Sequence, residues 1–415
     1  MTDMRTRPGC RALSRRGFIA GAGRLLGAAA LAAVPVGLAA CSRDDGADAV
    51  QVLQVPANAV VTLDAFSEYE KVSKYCKVEA VGTYNAGTLL SASNSKVAAA
   101  LCPGKTANPL NTVGLVEFSS GKLVTVLEQP VGQDDGYTFY NATASEELLV
   151  WVESNFLTGD WAVYCATLDA DALSIGQPVQ VDAGNADYDA PEIAALDQAA
   201  YWIVQPAEDG GKAKEDSLLK ASSGGSAAAV IHTSHGRFNG GLSTSGNTLT
   251  AMPRADTESG VYYQLTAFQS GTGAVVASQV LPRSYRPTCA VYMNGAFSFS
   301  IGASYDYGDG IANVGTYYPL DANTWLRLTR QPVTPPGLCR GWMFSKSGSR
   351  TALVDVQNRG YLTIDAPSGA ADYGDYPVAV GEQDSIYVFS TVSEVKDSEE
   401  VSHVELRRIV PNPLS

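Results

Sequence analysis

The sequence predicts an all-β domain made of one repeating unit of about 50 residues. Short runs rich in Val, Tyr, Phe, Thr and Leu alternate with Gly, Ser, Asp and Asn turns through residues 50–411, without a convincing amphipathic helix. The strand after a small polar turn recurs at near-regular intervals, at Val97, Leu148, Ala200, Leu249, Phe297, Thr351 and Ile386. A second Ser/Asp/Gly turn follows in phase, as in residues 119–121 and 222–224. Two turns in phase indicate repeats of a four-stranded unit.

Such a unit cannot bury both faces of its sheet alone, so the units must stack. Stacking in a closed ring leaves few exposed edges and predicts a β-propeller, here with seven four-stranded blades. The last unit is short, because only residues 403–410 offer a strand after the one at Ile386. We therefore expect the N-terminal strand at residues 50–55 to complete the last blade. A pair of β-sandwiches is the alternative architecture.

The unit, with a turn before its second strand and a Ser/Asp-Gly turn before its fourth, resembles TolB-type and WD40-like propellers over most of residues 50–411. The Trp-Asp dipeptides of WD40 blades are absent, and so are the Ser-Pro-Asp-Gly turns of TolB-type blades. The resemblance implies the fold and no particular activity.

The N-terminus resembles an export signal followed by a lipid-attachment site. Arg15, Arg16 and Phe18 match the twin-arginine pattern, and an Ala/Gly-rich run then ends in Leu-Ala-Ala before Cys41, like a bacterial lipobox. The resemblance implies a signal peptide at 1–40, a lipidated tether at 41–49 and the propeller domain at 50–415. General secretion is the alternative route, because Ala20 stands where the twin-arginine pattern usually has Lys. A transmembrane anchor is the rival reading of the run, disfavoured by its small residues and Pro35.

The charge balance excludes some classes of partner. Residues 1–40 contain six Arg and one Asp, so the remaining chain has 23 basic and 42 acidic residues and a net charge of −19. Such a chain repels nucleic acids and anionic membrane surfaces. We expect a protein held on the outer face of the cell membrane by the lipid on Cys41, with no nucleic-acid partner.

The cysteines suit an exported protein. Five of them follow Cys41, at Cys76, Cys102, Cys165, Cys289 and Cys339, and their spacings match no zinc site. One or two disulfides and a free thiol are expected. Cys289 and Cys339 lie at equivalent points of consecutive repeats, so we predict them as near neighbours that could form a disulfide. Cys76 and Cys102 form a weaker second pair.

No catalytic, metal or cofactor motif stands out. The G-x-S-x-G, Rossmann and phosphate-loop patterns are absent. The Ser-x-x-Lys sequence at residues 93–96 fills a repeat turn and lacks the partner motifs of penicillin-recognising enzymes. His232 and His235 have ligand-like spacing but no third ligand, and surface histidines are expected. We predict no cofactor.

Aromatic residues recur just before the second strand of most repeats, with charged residues beside them. In a propeller this segment enters the innermost strand, so these side chains would gather at one mouth of the central channel. The candidate ligand-binding residues are Tyr84, Tyr137, Tyr188, Asp189, Phe238, Tyr285, Arg286, Arg340 and Tyr376. The competing interpretation is that the rings only pack between blades.

The function expected from these features is a lipid-anchored module that binds a protein, peptide or glycan at the channel mouth. The alternative is an exported carbohydrate-active hydrolase or lyase that uses the acids of residues 187–189 and 372–375. A structural part of an envelope assembly is a third possibility. The sequence leaves the oligomeric state open.

Overall fold

The computed structural model describes residues 52–106, 109–132, 136–255, 260–283, 285–302, 314–321, 323–329, 334–396 and 398–414. In these ranges helix is confined to the α-helix Val72–Tyr75 and the 3₁₀ helices Ala57–Ala59 and Leu63–Ala65. In the same ranges, no helix is long and apolar enough to cross a membrane. The fold is all-β, as the sequence predicts. The export and lipidation residues Arg15, Arg16, Phe18 and Cys41 lie outside the described residues.

The strands divide into an N-terminal set, six blades and a C-terminal set. The N-terminal strands are β1 (Val60–Thr62), β2 (Ser67–Glu68) and β3 (Cys76–Asn85). Blade 1 contains β4 (Leu89–Leu90), β5 (Val97–Pro103), β6 (Asn111–Glu117) and β7 (Leu123–Leu127). Blade 2 contains β8 (Tyr137–Ala144), β9 (Leu148–Asn155), β10 (Trp161–Asp169), β11 (Ser174–Ile175) and β12 (Val179–Gly184). Blade 3 contains β13 (Glu192–Leu196), β14 (Ala199–Val204), β15 (Ser217–Ser223) and β16 (Ala229–Ser234).

Blade 4 contains β17 (Ser243–Ser245), β18 (Thr248–Ala251), β19 (Gln264–Gln269) and β20 (Val275–Val280). Blade 5 contains β21 (Pro287–Met293), β22 (Ala296–Ile301), β23 (Gly315–Pro319) and β24 (Trp325–Thr329). Blade 6 contains β25 (Gly337–Cys339), β26 (Trp342–Ser347), β27 (Arg350–Asp355) and β28 (Gly360–Ile364). The C-terminal strands are β29 (Tyr376–Pro377), β30 (Gly381–Gln383), β31 (Ile386–Lys396) and β32 (Glu399–Pro411). Within each blade, consecutive strands form an antiparallel sheet. In blade 2, both β11 and β12 pair with β10.

A sheet of mixed origin completes the ring. Its order is β29–β31–β32–β3, and β3 pairs antiparallel with β32, from Cys76 opposite Pro411 to Asn85 opposite His403. The described residues thus give six contiguous blades and this closing sheet, and not the predicted seven equivalent four-stranded blades. An N-terminal strand does close the last sheet, but it is β3 rather than residues 50–55. The ten residues of β3 cover most of the long outer edge of β32.

Residues 52–75, the rim segment, lie along the outer edges of blades 4 to 6. Val52 bridges Val280 of β20, β1 pairs parallel with β24, and β2 pairs parallel with β28. Phe66 is buried between blades 5 and 6, and the Tyr69 hydroxyl donates to Asp355 Oδ2 at 3.0 Å. Unpaired outer strands invite pairing with other chains, so the rim segment protects these edges.

The hydrophobic core is divided among the interfaces between sheets. In the described part of the chain, each of seven clusters of buried residues lies between two neighbouring sheets, including one between the closing sheet and blade 1. Trp151 fills the interface of blades 1 and 2, Trp202 that of blades 2 and 3, and Trp342 that of blade 6 and the closing sheet. Truncating one such side chain to Ala costs about 3–5 kcal/mol. Seven occupied interfaces show that the ring is closed.

The two faces of the ring differ. We call upper the face where the chain enters the first strand of each blade, and lower the face with the turns between first and second strands. Residues 378–383, the crossover segment, lie across the lower end of the channel. Its Val378 carbonyl accepts from Ser93 N of blade 1 at 2.9 Å, and its Glu382 N donates to Ser245 Oγ of blade 4 at 3.1 Å. Its strand β30 pairs parallel with β25 of blade 6. The channel is therefore covered at its lower end.

The predicted disulfide is absent. Cys289 and Cys339 are both free, like the other cysteines of the described ranges. Leu338, and not Cys339, packs towards blade 5, whereas Cys339 is buried between blade 6 and the closing sheet. The Cys289 thiol hydrogen-bonds with Ser300 in its own blade, and burial raises its pKa to about 11. The two cysteines have equivalent positions along the repeat, but their thiols lie in different environments. Cys76 and Cys102 are also unbonded.

Candidate functional site

Three of the predicted site aromatics are core residues. Phe238 is buried between blades 3 and 4, and Tyr285 between blades 4 and 5. Tyr84 lies in β3 on the closing sheet, where its hydroxyl donates to the Gly121 carbonyl at 3.0 Å. For these three residues the packing interpretation is correct, and they present no ring face to a ligand.

Of the other predicted residues, Arg340 is separated from the rest. Tyr137, Tyr188 and Tyr376 are half-buried on the upper face, and Arg286 is exposed there. Arg340 lies in the turn between β25 and β26, on the lower face. It follows the first strand of its blade, whereas the others precede or begin theirs, so the ring separates it from them.

Tyr376 lies over a buried cation. Lys346 Nζ sits 4.2 Å from the centre of its ring and donates to the carbonyl of Asp375 at 2.5 Å. Burial lowers the pKa of Lys346, although the nearby carboxylate of Asp375 opposes the shift. Asp375 is itself buried and paired with Arg407, so it does not face a cavity as the proposed acid of residues 372–375 would require.

Tyr188 forms the rim of a pocket between blades 2 and 3, which we call the Tyr188 pocket. Lys212 Nζ donates to its hydroxyl at 3.1 Å, and the hydroxyl donates to Glu215 Oε2 at 3.1 Å. The same ammonium lies 4.8 Å from the centre of the ring. The hydrogen bond with Tyr188 raises the pKa of Lys212, which remains an ammonium. A cation and an anion are thus held at one aromatic rim.

The pocket has a volume of about 370 Å³ and walls of both signs of charge. Asp182 accepts hydrogen bonds from Trp202 Nε1 at 2.7 Å and from Lys220 Nζ at 2.8 Å. Trp161 donates its indole N–H to the Tyr188 carbonyl at 3.2 Å, which positions the Tyr188 backbone. Gly184 is required beside this ring, since an added Cβ would lie 2.2 Å from Trp161 Cζ2. The local sequence therefore builds a rigid pocket floor.

A second cavity of about 420 Å³ adjoins the pocket through Asp216. Asp216 pairs with His235 Nδ1 at 3.2 Å. Arg237 pairs with the predicted site residue Asp189 and donates to the Pro206 carbonyl. Since Asp189 is paired with a cation, its role here is to hold Arg237 at the cavity.

Sequence reasoning also missed the aromatic pair of Tyr140 and Phe156. Tyr140 is the extra residue of a β-bulge in β8, and its ring is 42% exposed. Burial raises the pKa of Tyr140, and the charges of Glu192 and Asp189 add to the shift. Burial also raises the pKa of Glu192. The ring of Phe156 lies edge-on to Tyr140, with 6.4 Å between centroids.

The two carboxylates of the Tyr188 pocket have partners within the protein. In the Tyr188 pocket the carboxylates of Asp182 and Glu215 are held by Lys220 and Tyr188 respectively, whereas a glycosidase needs an acid and a base or nucleophile facing each other. Across the described ranges, no group of three His, Cys, Asp or Glu residues could hold a metal ion.

No family model matches the sequence, and no curated protein matches it. Solved structures that are similar include one from a structural and mechanistic study of two prolyl endopeptidases (TM-score 0.46, 11% identity, covering 78% of this chain and 47% of that chain). The β-propeller domain of the Trilobed protease from Pyrococcus furiosus, with an open velcro topology, is also similar (TM-score 0.46, 11% identity, 76% and 97%). So is an oligogalacturonate lyase in complex with manganese (TM-score 0.43, 9% identity, 82% and 95%). This chain spans about half the length of the prolyl endopeptidases, and at these identities and TM-scores the similarities say nothing of its activity.

The pocket residues that were missed had one visible signal. Lys212, Glu215 and Asp216 belong to a charged Gly-containing stretch between β14 and β15, in which polar residues far outnumber apolar ones. A hydrophilic loop of this length between two strands of a blade often carries function. Trp161 and Asp182 gave no such signal, because each lies within an ordinary strand.

Proposed function

We propose that the protein is an exported, lipid-anchored propeller that binds a small polar ligand, such as a glycan or peptide, in the Tyr188 pocket. The observation that supports this most is the rim of the pocket, where the half-buried Tyr188 holds Lys212 and Glu215 through one hydroxyl. An aromatic ring beside a cationic hydrogen-bond donor and an anionic acceptor suits hydrated polar ligands.

The location is supported by the N-terminal sequence. Arg15, Arg16 and Phe18 match a twin-arginine signal, and Cys41 ends a lipobox. In this proposal residues 1–40 are removed, residues 41–49 tether the propeller domain of residues 50–415, and the lipid on Cys41 holds it on the outer face of the cell membrane. Between Cys41 and Val52 the chain can span at most about 40 Å, so the outer edge of blade 4 stays near the membrane.

A binding screen tests this function. The mature protein in detergent is titrated with soluble oligosaccharides and short peptides by calorimetry. For any ligand found, Tyr188→Ala should weaken binding by roughly 1–3 kcal/mol, as expected for an aromatic anchor. Tyr373→Ala, which removes an exposed tyrosine from the turn before β29, is the matched control. Equal affinity of wild type and Tyr188→Ala would place the ligand elsewhere.

A hydrolase or lyase of carbohydrate is the second candidate, supported by the adjoining cavity. There Asp216 can orient His235 as a general base, and Arg237 and Arg254 line the same cavity as sites for a substrate carboxylate. Incubation with acidic and neutral polysaccharides, followed by detection of new reducing ends or unsaturated products, tests it. Turnover that disappears in His235→Asn would favour this candidate over the binding module.

A further inference from the structure

A separate cavity of about 710 Å³ opens on the lower face, between blades 5 and 6 and beside the crossover segment. Its volume falls in the range of small-molecule sites. It lies at the opposite end of the channel from the Tyr188 pocket and shares no residue with it. Any ligand here is therefore independent of the function proposed above.

The register of β25 and β30 decides which side chains face this cavity. Leu338 is opposite Glu382, and Cys339 is opposite Gln383. Because side chains alternate along a strand, the paired residues Leu338 and Glu382 lie on one face of the ladder. Arg340 and Asp384 follow just after the ends of the two strands. Cys339 points the other way, into the core between blade 6 and the closing sheet. Leu338, Glu382, Arg340 and Asp384 all line the cavity.

Arg340 occupies a backbone position that suits other residues better. Its φ is +52°, in the left-handed region, and Gly341 follows at +88°. The equivalent turn of blade 5 is Asn294–Gly295, with φ of +50° and +75°, and Asn is the residue that tolerates this region most readily. The left-handed turn fixes the backbone of Arg340 at the wall of the cavity. Its guanidinium donates Nε to the Asp384 carbonyl at 3.1 Å and forms no ion pair with any described residue.

One of the two carboxylate oxygens of Glu382 accepts a hydrogen bond from the protein. Its Oε1 accepts the Asn294 backbone N–H at 2.6 Å, which fixes the orientation of the group. Its Oε2 has no hydrogen-bond partner among the described residues. Four further lining residues, Tyr318, Leu320, Leu338 and Val356, belong to the hydrophobic cluster between blades 5 and 6 and give the cavity an apolar wall.

We propose that this cavity binds an α-amino acid zwitterion with an apolar side chain. The carboxylate pairs with the guanidinium of Arg340, the ammonium pairs with Glu382, and the side chain packs against Leu338 and Tyr318. One arginine beside two carboxylates, Glu382 and Asp384, gives a cavity with a net negative charge, which repels a simple anion. A simple cation would leave the guanidinium of Arg340 without an anionic partner, whereas a zwitterion pairs with both Arg340 and Glu382 and adds no net charge.

Calorimetric titration of the mature protein with three probes tests this proposal. L-leucine carries both charges, L-leucinamide lacks the carboxylate, and isocaproate lacks the ammonium. L-leucine should bind at millimolar concentration or below, and each of the other probes should bind at least about tenfold more weakly, because each leaves one charged group of the cavity unpaired.

Two substitutions assign the binding to this site. Arg340→Asn keeps a residue that accepts the left-handed turn, and Glu382→Gln keeps the acceptor for Asn294 N–H; each should weaken L-leucine binding at least about tenfold. Arg359→Asn is the control, since Arg359 is also left-handed (φ +50°), precedes a glycine and does not line the cavity. The proposal is overturned if L-leucine does not bind, if L-leucinamide or isocaproate binds equally well, or if Arg340→Asn binds like wild type.

Discussion

Asp375 and Arg407 form an ion pair that is buried beneath Tyr376 in the closing sheet. The carboxylate of Asp375 is fully buried and also accepts the Ser390 hydroxyl at 2.8 Å, while Arg407 Nη2 donates to the Asp365 carbonyl at 3.0 Å. Burial raises the pKa of Asp375, and Arg407 opposes that shift. The pair links the segment before β29 to β32, and so holds the innermost strand of the closing sheet to the rest of that sheet.

Removing one partner of this pair should destabilise the fold strongly. Arg407→Met leaves the Asp375 carboxylate buried without its cation, and the expected loss is about 3–5 kcal/mol in the free energy of unfolding. Lys96→Met is the control, because its pair with Asp171 at 2.7 Å is exposed and should contribute less than about 1 kcal/mol. Urea unfolding of both variants gives the comparison. Equal losses would show that burial adds nothing to the Asp375–Arg407 pair.

The crossover segment gives a second prediction. Gly381 has φ +63°, and an added Cβ would lie 2.4 Å from Ser245 Cβ. Gly381→Ala should therefore lower the stability by about 1–3 kcal/mol through backbone strain and overpacking. Gly211→Ala, where a Cβ meets nothing within 4 Å, should be nearly neutral. If both variants melt at the wild-type temperature, the crossover segment does not pack closely against blade 4.

Tyr285 and Tyr188, which have equivalent places in the repeat, should respond differently to truncation. Tyr285 is 2% exposed and packs between blades 4 and 5, so Tyr285→Ala should cost about 3–5 kcal/mol of stability. Tyr188 is half-buried at a pocket rim, and Tyr188→Ala should cost far less. Thermal unfolding of the two variants decides. A loss for Tyr188→Ala as large as that for Tyr285→Ala would make Tyr188 a packing residue too.

The repeat of turns located most of the second strands but failed in blade 6. The strands expected at Val97 and Leu148 are the second strands β5 and β9. The strand expected at Thr351 is the third strand of its blade, β27, because the residue 347–349 turn follows β26 rather than preceding it. The turn between the first and second strands of blade 6 is Arg340–Gly341, and arginine is not a residue type that predicts a turn. This also explains the irregular last intervals of the repeat.

Other features left no readable pattern. The rim segment pairs through parallel strands of two or three residues, β1 and β2, with partners more than 260 residues away in sequence. Such short non-local pairings have no periodicity to detect. Tyr140 is the extra residue of a β-bulge, which breaks the alternation on which any prediction of side-chain direction depends. The equivalent sequence positions of Tyr188 and Tyr285 did not reveal that only one of them is exposed.

Lipidation gives a prediction that is independent of the fold. If Cys41 is the lipid acceptor, as proposed, Cys41→Ala removes that acceptor and leaves the propeller sequence unchanged, so the protein should move from the membrane fraction to the soluble fraction. Carbonate washing followed by immunoblotting measures this. Cys10→Ala, within the signal, is the control and should stay with the membrane. Full retention of Cys41→Ala in washed membranes would contradict the lipoprotein assignment.

His232 should make the stability of the ring depend on pH. Its imidazole, on the outer strand β16, packs edge-on against Phe268 with 5.5 Å between ring centres and against Phe238 with 6.3 Å. Burial lowers the pKa of His232, and His235 adds to the effect. The unfolded chain, where the pKa of histidine is about 6.5, therefore binds a proton more readily than the folded one. The contribution of this neutral ring to the free energy of unfolding is fully present above about pH 6.5. It is lost as the pH falls from there through the lower pKa of the folded state.

We expect His232→Gln to be less stable than wild type at pH 8, with the difference shrinking below about pH 6.5. Urea unfolding of both proteins from pH 8 to pH 5 measures it, and the shared carboxylates cancel in the difference. A stability difference that stays constant over this range would show that His232 titrates alike in the folded and unfolded states.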